Sequence, residues 1–235
     1  MEQRVQIGEI PTIVWGAPSE AVYLYVHGKH GRKEDARDFA ALAQSKGYQV
    51  LSMDLPEHGE RAQERHRFNP WCVVPELHAV LAWAQQRWRA LHLRADSIGA
   101  WFSMLSYAHA ALAGCLFVSP ILDMEQLIRA MMAQASVSEE DLRRTQEIPT
   151  DFGETLSWQY LDYARTHPIR HWPHPTAILC ADEDALTPRG TVERFAAQYG
   201  CALTVLPGAE HWFHTPEQLE ALRRWTQAAV QSLVI

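Results

Sequence analysis

A short run between residues 91 and 102 shows the change from strand to helix that most constrains the fold. Leu91 and Leu93 alternate with polar residues, which is the period-two pattern of a β-strand. From Ala100 onward the chain is rich in good helix formers. Ser97 lies in the short turn between the two patterns. The sequence therefore predicts a strand, a tight turn and a helix, with a serine at the corner.

The residue types around Ser97 fit a corner that presents a hydroxyl group. A sharp turn pushes the serine side chain out of the sheet, and Ala95 and Gly99 are small where the strand and helix backbones nearly touch. The N–H of Ile98, at the start of the helix, could donate to an oxyanion. In the alternative interpretation, Ser97 is an ordinary N-cap of that helix. The choice depends on whether the chain also supplies a base and an acid.

Composition limits the classes of protein to consider. A length of 235 residues, with 47% hydrophobic and 21% charged residues, is typical of one globular α/β domain. The net charge of −7 argues against nucleic acid or an anionic membrane as the main partner. The sequence shows neither a signal-peptide core nor an apolar run of membrane-spanning length. Its four cysteines are widely spaced, so we expect free thiols and a cytoplasmic protein.

Strand-like and helix-like runs alternate along most of the chain. The predicted strands cover residues 4–7, 12–15, 21–26, 49–53, 91–94, 114–119, 176–180 and 202–206. The predicted helices cover residues 33–46, 70–88, 100–108, 188–199 and 216–233. This alternation predicts an α/β fold with a mainly parallel central sheet, flanked by helices on both faces. The first two strands are expected to form an antiparallel edge.

Residues 121–173, here called the inserted segment, break this alternation. They contain two stretches of helical character around an acidic turn, and no strand-like run. The simplest interpretation is a short helical cap inserted between two strands of the sheet. We therefore predict a single domain over residues 1–235 that carries the cap within it.

Two loops after later strands carry the side chains that could activate Ser97. The seventh predicted strand is followed by Asp182, Glu183 and Asp184, and the eighth by a loop with His211 and His214. In a parallel sheet, the carboxyl ends of the strands carry the chemistry. A serine hydroxyl needs an imidazole to take its proton, and a carboxylate beyond the ring fixes the tautomer. The two histidines could also be metal ligands, but no carboxylate or cysteine at matching spacing supports that.

Five short motifs occur in order: Val-His-Gly at 26–28, Asp-Leu-Pro-Glu-His-Gly at 54–59, Ala-Asp-Ser-Ile-Gly at 95–99, the acidic loop at 181–188 and Pro-Gly-Ala-Glu-His at 207–211. Together they resemble the α/β-hydrolase family over nearly the whole chain. The sequence departs from the family pattern at Glu57 and Ala95, where glycine is common. The resemblance implies an α/β-hydrolase fold and the chain order serine, acid, histidine.

The resemblance also assigns roles to residues. Asp184 is favoured over the two acidic residues before it, because it lies four positions before Pro188 as in the family's acid loop. His211 is favoured over His214, because it directly follows the short glycine-containing loop. The implied catalytic residues are Ser97, Asp184 and His211. The implied oxyanion hole is formed by the backbone N–H groups of Lys29 and Ile98.

The implied activity is hydrolysis of a small or medium carboxylic ester through an acyl-enzyme. No metal or organic cofactor is expected, and the expected partner is a small-molecule ester. The same three side chains also serve thioesterases, C–C bond hydrolases and acyltransferases, so these alternatives stay open. A further alternative is a ligand-binding relative that has lost the chemistry.

Overall fold

A central sheet of eight strands organises the structure, a computed structural model that describes residues 1–232. The described chain has ten strands, all of which except β7 and β8 belong to this sheet: β1 (Glu2–Ile7), β2 (Ile10–Trp15), β3 (Ala21–Val26), β4 (Gln49–Met53), β5 (Ala90–Asp96), β6 (Gly114–Val118), β7 (Glu147–Pro149), β8 (Thr155–Ser157), β9 (Thr176–Ala181) and β10 (Ala202–Leu206). The sheet order is β1-β2-β4-β3-β5-β6-β9-β10. The first two strands pair antiparallel, β2 pairs antiparallel with β4, and all later neighbours are parallel.

Eight α-helices accompany the strands in the described part of the chain. They are α1 (Arg37–Gln44), α2 (Pro70–Gln85), α3 (Ile98–Tyr107), α4 (Met124–Gln134), α5 (Glu139–Thr145), α6 (Trp158–Thr166), α7 (Arg189–Tyr199) and α8 (Pro216–Ser232). The predicted α/β class and the mainly parallel sheet are confirmed. The predicted end of the last helix, residue 233, lies outside the described residues. None of these helices is long and apolar enough to cross a membrane.

Burial on both faces of the sheet explains its continuous apolar strands. Along β3, Val22 and Leu24 pack in the core beneath α2 and α3, whereas Tyr23 and Tyr25 point to the core beneath α1 and α8. All four side chains are buried. A strand covered on both faces has no solvent side, which is why this run lacks polar residues.

The inserted segment differs in part from the prediction. It contains α4, α5 and α6, but β7 and β8 form a small antiparallel hairpin between α5 and α6. The expectation of a segment without strands is therefore wrong at these six residues. Each strand is only three residues long and includes polar side chains or Pro149, so neither shows the alternation that marks a longer strand.

Parallel pairing brings four loops to one edge of the sheet. Because β3, β5, β9 and β10 run in the same direction, the loops that follow them all lie at their carboxyl ends. These loops contain residues 27–31, Ser97, residues 182–188 and residues 207–215. The topology thus gathers the polar side chains that are far apart in sequence.

Candidate active site

Ser97 lies at the corner between β5 and α3. Its backbone has φ +50° and ψ −124°, a conformation that residues other than glycine rarely adopt. Its N–H donates to the carbonyl oxygen of Val118 at 3.0 Å, and its carbonyl oxygen accepts from the N–H of Ile121 at 3.1 Å. The hydroxyl makes no capping hydrogen bond to α3, so the ordinary N-cap interpretation is wrong. The surrounding chain holds a strained corner that leaves the hydroxyl free of the helix.

The corner requires glycine where two backbones touch. A Cβ atom on Gly99 would lie 2.4 Å from the carbonyl oxygen of His27 and 2.6 Å from that of Val26. A Cβ atom on Gly28 would lie 3.0 Å from the Cβ of Ser97. The loop after β3 therefore packs directly on the start of α3. This close approach places the loop beside the serine.

We expect Gly99→Ala to lower the free energy of unfolding by about 3 kcal/mol, because neither carbonyl oxygen is the end of a flexible side chain that could move aside. Gly190→Ala is the matched control, since Gly190 also lies in the first turn of a helix but meets only a flexible arginine atom, at 3.6 Å. That control should gain roughly 0.5 kcal/mol from helix propensity. Urea unfolding of both variants measures the difference. Equal stabilities would contradict the close approach.

Three predicted side chains meet at the carboxyl edge of the sheet. The Oγ of Ser97 lies 2.8 Å from Nε2 of His211. On the other side of the ring, Nδ1 of His211 lies 2.7 Å from Oδ2 of Asp184. Both distances are those of good hydrogen bonds. The arrangement can move a proton from a hydroxyl to an imidazole that a carboxylate orients.

Asp184 is buried and fully hydrogen-bonded. Its side chain is 1% exposed, compared with 18% for that of His211. The Oδ1 atom accepts from the backbone N–H groups of Leu186 and Thr187, at 2.8 and 2.9 Å. The other oxygen, Oδ2, is thereby left to face His211. The loop after β9 thus fixes both the position and the orientation of the carboxylate.

The side chains that were alternatives to Asp184 and His211 in the sequence do not contact Ser97 in the described structure. Asp182 forms an exposed ion pair with Arg189 at 3.1 Å, and Glu183 is exposed. His214 is exposed as well, and its Nδ1 lies 2.8 Å from the carbonyl oxygen of Trp212. Across residues 1–232, no three histidine, cysteine or carboxylate side chains are grouped so that they could hold a metal ion. Of the candidates, the structure brings only Asp184 and His211 to Ser97.

Neither the known protein-family models nor the curated proteins give a match to this sequence. Solved structures do match by fold. Est1E from Butyrivibrio proteoclasticus with bound ferulic acid has a TM-score of 0.78 at 17% identity, over 99% of both chains. Mouse α/β hydrolase domain-containing protein 10 has a TM-score of 0.75 at 11% identity, over 99% of both chains. The chain has the α/β-hydrolase fold. A monoacylglycerol lipase from Paleococcus ferrophilus also shares it, with a TM-score of 0.71 at 16% identity, over 96% of this chain and 99% of the lipase.

Two buried histidines shape the loop after β3 in this α/β-hydrolase fold. The N–H of Leu55 donates to Nε2 of His27, so Nδ1 carries the hydrogen and donates to the carbonyl oxygen of Gly28. The N–H of His30 donates to Nε2 of His58 in the same way. Burial lowers the pKa of His27 to about 4 and also lowers the pKa of His58. Both rings are therefore neutral at pH 7, as accepting these bonds requires.

The two N–H groups predicted to form an oxyanion hole are free to donate. Ile98 is the first residue of α3, where the helix offers its N–H no acceptor. Lys29 follows Gly28, on which a Cβ atom would lie 3.0 Å from the Cβ of Ser97. Within residues 1–232, neither the Lys29 N–H nor the Ile98 N–H has a hydrogen-bond partner. Both groups lie on chain that contacts the Ser97 corner.

One supporting group was missed from the sequence. Asp96, the residue before Ser97, accepts hydrogen bonds from the Tyr25 hydroxyl at 2.9 Å and from Nε of Arg94 at 2.8 Å. Burial raises the pKa of Tyr25 well above its ordinary value, so its hydroxyl stays protonated and donates. Tyr25 and Arg94 are directly opposite each other in the β3–β5 register. Pairing the two predicted strands in this register would have brought both residues next to the Ser97 corner. Hydrogen bonds from β3 and from β5 itself thus fix the Asp96 side chain at the end of β5.

Proposed function

We propose that this protein is a serine hydrolase that cleaves a small or medium carboxylic ester through an acyl-enzyme. Ser97 is the nucleophile, His211 is the general base, and Asp184 orients the imidazole. The observation that carries the proposal is the pair of hydrogen bonds from Ser97 to His211 and from His211 to Asp184, at 2.8 and 2.7 Å. A binding protein without chemistry would have no need of that connected set.

The first half of the reaction forms the acyl-enzyme. His211 takes the proton of Ser97 through Nε2 while Oγ bonds to the ester carbonyl carbon. The carbonyl π electrons move to oxygen and produce a tetrahedral oxyanion. When the oxyanion collapses, the carbon–oxygen bond to the leaving alcohol breaks, and His211 returns the proton to that alcohol. Asp184 stabilises the imidazolium that exists between the two proton transfers.

The second half releases the acid. Water replaces the alcohol, and His211 takes one of its protons as the oxygen bonds to the acyl carbon. A second tetrahedral oxyanion forms, and its collapse breaks the bond to Ser97 Oγ, which regains a proton from His211. The products are one carboxylic acid and one alcohol. The enzyme returns to its starting state without a cofactor.

Backbone N–H groups supply the charge stabilisation in this proposal. The donors are those of Lys29 and Ile98, which lie beside the Ser97 corner and have no other acceptor in the described chain. Loss of one such donor in a comparable site costs about 2.7–4 kcal/mol of transition-state stabilisation. The neutral His27 and His58 hold the loop that carries the first donor.

The inserted segment is proposed as a cap that limits substrate size. Two contacts near Ser97 support this role. The Tyr160 ring of α6 stacks on Trp101 of α3, one helical turn after the serine, with the ring centroids 5.9 Å apart. Glu154 of the hairpin forms an ion pair with Lys29. Because the segment docks on the two elements that flank Ser97, we expect a small or medium ester rather than a polymer as the substrate.

Turnover of a short-chain p-nitrophenyl ester by the wild-type protein tests the proposal. We expect release of the free acid at a rate that requires the Ser97 hydroxyl. A folded protein that turns over no short-chain ester would overturn ester hydrolysis. Thioester hydrolysis, C–C bond hydrolysis and acyl transfer use the same three side chains, and no observation on this chain favours any of them over the ester.

A cytoplasmic location is part of the proposal. The four cysteines are unpaired in the structure, and Cys115 and Cys180 are buried. Free thiols of this kind persist in a reducing compartment. Burial also raises the pKa of Cys180 to about 11, which keeps its thiol protonated and unreactive.

A further inference from the structure

One contact joins the inserted segment to the loop that carries the proposed oxyanion donor. Nζ of Lys29 contacts both carboxylate oxygens of Glu154, at 2.5 Å each. The two side chains are only half-buried, with 33% and 39% of their surfaces exposed. They are 125 positions apart in sequence. The contact therefore connects the loop after β3 with the β7–β8 hairpin.

The other residues of the loop after β3 are held by hydrogen bonds that do not involve the hairpin. Nε2 of His27 accepts a hydrogen bond from the N–H of Leu55, and the N–H of His30 donates to Nε2 of His58. The N–H of Gly31 donates to the carbonyl oxygen of Gly28 at 3.1 Å. Lys29 has no such bond in the described chain, and Glu154 is the only partner of its side chain there. Within this loop, the Lys29 side chain is thus held by the hairpin, whereas the residues on either side of it are held by other partners.

Glu154 is itself presented by a tight turn. The N–H and hydroxyl of Thr150 both donate to the carbonyl oxygen of Glu154, at 2.8 and 2.7 Å. The N–H of Glu154 donates back to the Thr150 hydroxyl at 3.2 Å. Pro149 and Thr155 pair across the hairpin on either side of this turn. The carboxylate is therefore carried by a turn whose backbone is hydrogen-bonded on both sides.

We propose that Glu154 is a positioning residue, which acts through Lys29 to hold the Lys29 N–H in place for the oxyanion. This inference rests on the proposed function, since it concerns the same oxyanion hole. It makes the docked hairpin part of the assembled site. An ion pair at this exposure adds little to stability, so the expected effect is on the chemical step.

The test compares Glu154→Gln with Asp151→Asn in steady-state hydrolysis of a p-nitrophenyl ester. Asp151 is an exposed residue of the same turn, so the control also removes one carboxylate from the hairpin. We expect Glu154→Gln to lower kcat by about 3- to 10-fold with KM within about twofold, because the oxyanion exists only in the transition state and the intermediates. Asp151→Asn should match the wild type.

Salt dependence and a second variant separate positioning from simple structural support. Raising NaCl to 1 M should lower kcat of the wild type toward that of Glu154→Gln, whose own kcat should not change. The double variant Lys29→Gln/Glu154→Gln should be no slower than the slower single variant, because both changes break one interaction. Additive losses, an effect on KM alone, or a Glu154→Gln kcat equal to that of the wild type would overturn the inference.

These outcomes are distinguishable from failure of the proposed function. If the wild type turns over the ester through Ser97 and Glu154→Gln is unchanged, only the positioning role is overturned. If the folded wild type turns over no ester, the proposed function is overturned and the positioning role with it. Thermal unfolding of each variant, expected to match the wild type, shows that a loss of kcat does not come from unfolding.

Discussion

Replacing Ser97 with alanine should lower kcat for a short-chain p-nitrophenyl ester by about 10⁴-fold or more, because the variant has no oxygen to form the acyl-enzyme. Residual turnover would come from the oxyanion donors and from substrate binding. The fold should survive, because within residues 1–232 the Ser97 side chain makes no hydrogen bond other than the one to His211. Steady-state kinetics and thermal unfolding measure the two effects.

Ser45→Ala is the matched control for this variant. The Ser45 hydroxyl is exposed at the end of α1, and in the described part of the chain its only hydrogen bond is to the local carbonyl oxygen of Leu42. Its removal should leave kcat within about twofold of the wild-type value. A Ser97→Ala protein that keeps wild-type turnover would refute the role of Ser97, and a loss of turnover shared with Ser45→Ala would indicate an indirect effect.

The Asp184→Asn variant should lower kcat by about 10³- to 10⁴-fold. Oδ1 of Asp184 accepts from the Leu186 and Thr187 N–H groups, so an asparagine should turn its amide oxygen toward them. The amide NH₂ would then face Nδ1 of His211 and donate to it. That bond moves the ring hydrogen to Nε2, which can no longer take the proton of Ser97.

Asp182→Asn gives the comparison that isolates the position of the carboxylate. Asp182 lies two residues earlier in the same loop, and its exposed ion pair with Arg189 contributes little to the stability of the fold. This variant should retain turnover within about twofold of the wild type. Equal losses in the two variants would mean that the loop, rather than the Asp184 carboxylate, is needed. Wild-type turnover by Asp184→Asn would contradict the proposal that the Asp184 carboxylate orients the imidazole.

The sheet could be predicted from the sequence because its strands are buried on both faces. Runs such as residues 21–26 and 114–118 are almost wholly apolar, and they alternate with amphipathic helices. Parallel pairing then puts the loops that follow these strands at the same end of the sheet. This predicts that the loops with Ser97, Asp184 and His211 share one end of the sheet, whereas the choice of Asp184 and His211 over their neighbours came from the family resemblance. The structure brings the three side chains within hydrogen-bond distance.

The contacts of the inserted segment could not be predicted in this way. Its two strands are three residues long, so they carry no period-two pattern. The ion pair between Lys29 and Glu154 joins two half-exposed side chains, and nothing local to either residue specifies its partner. Long-range polar contacts depend on how elements dock, whereas strand and helix patterns depend on burial along one element.

Covalent capture shows whether the Ser97 hydroxyl is an activated nucleophile. The wild type and Ser97→Ala are each incubated with a small fluorophosphonate, and intact mass is measured. We predict a single adduct on the wild type, mapped to the peptide that contains Ser97, and none on Ser97→Ala. The absence of an adduct on folded wild type, or an adduct that persists in Ser97→Ala, would contradict an activated serine at this corner.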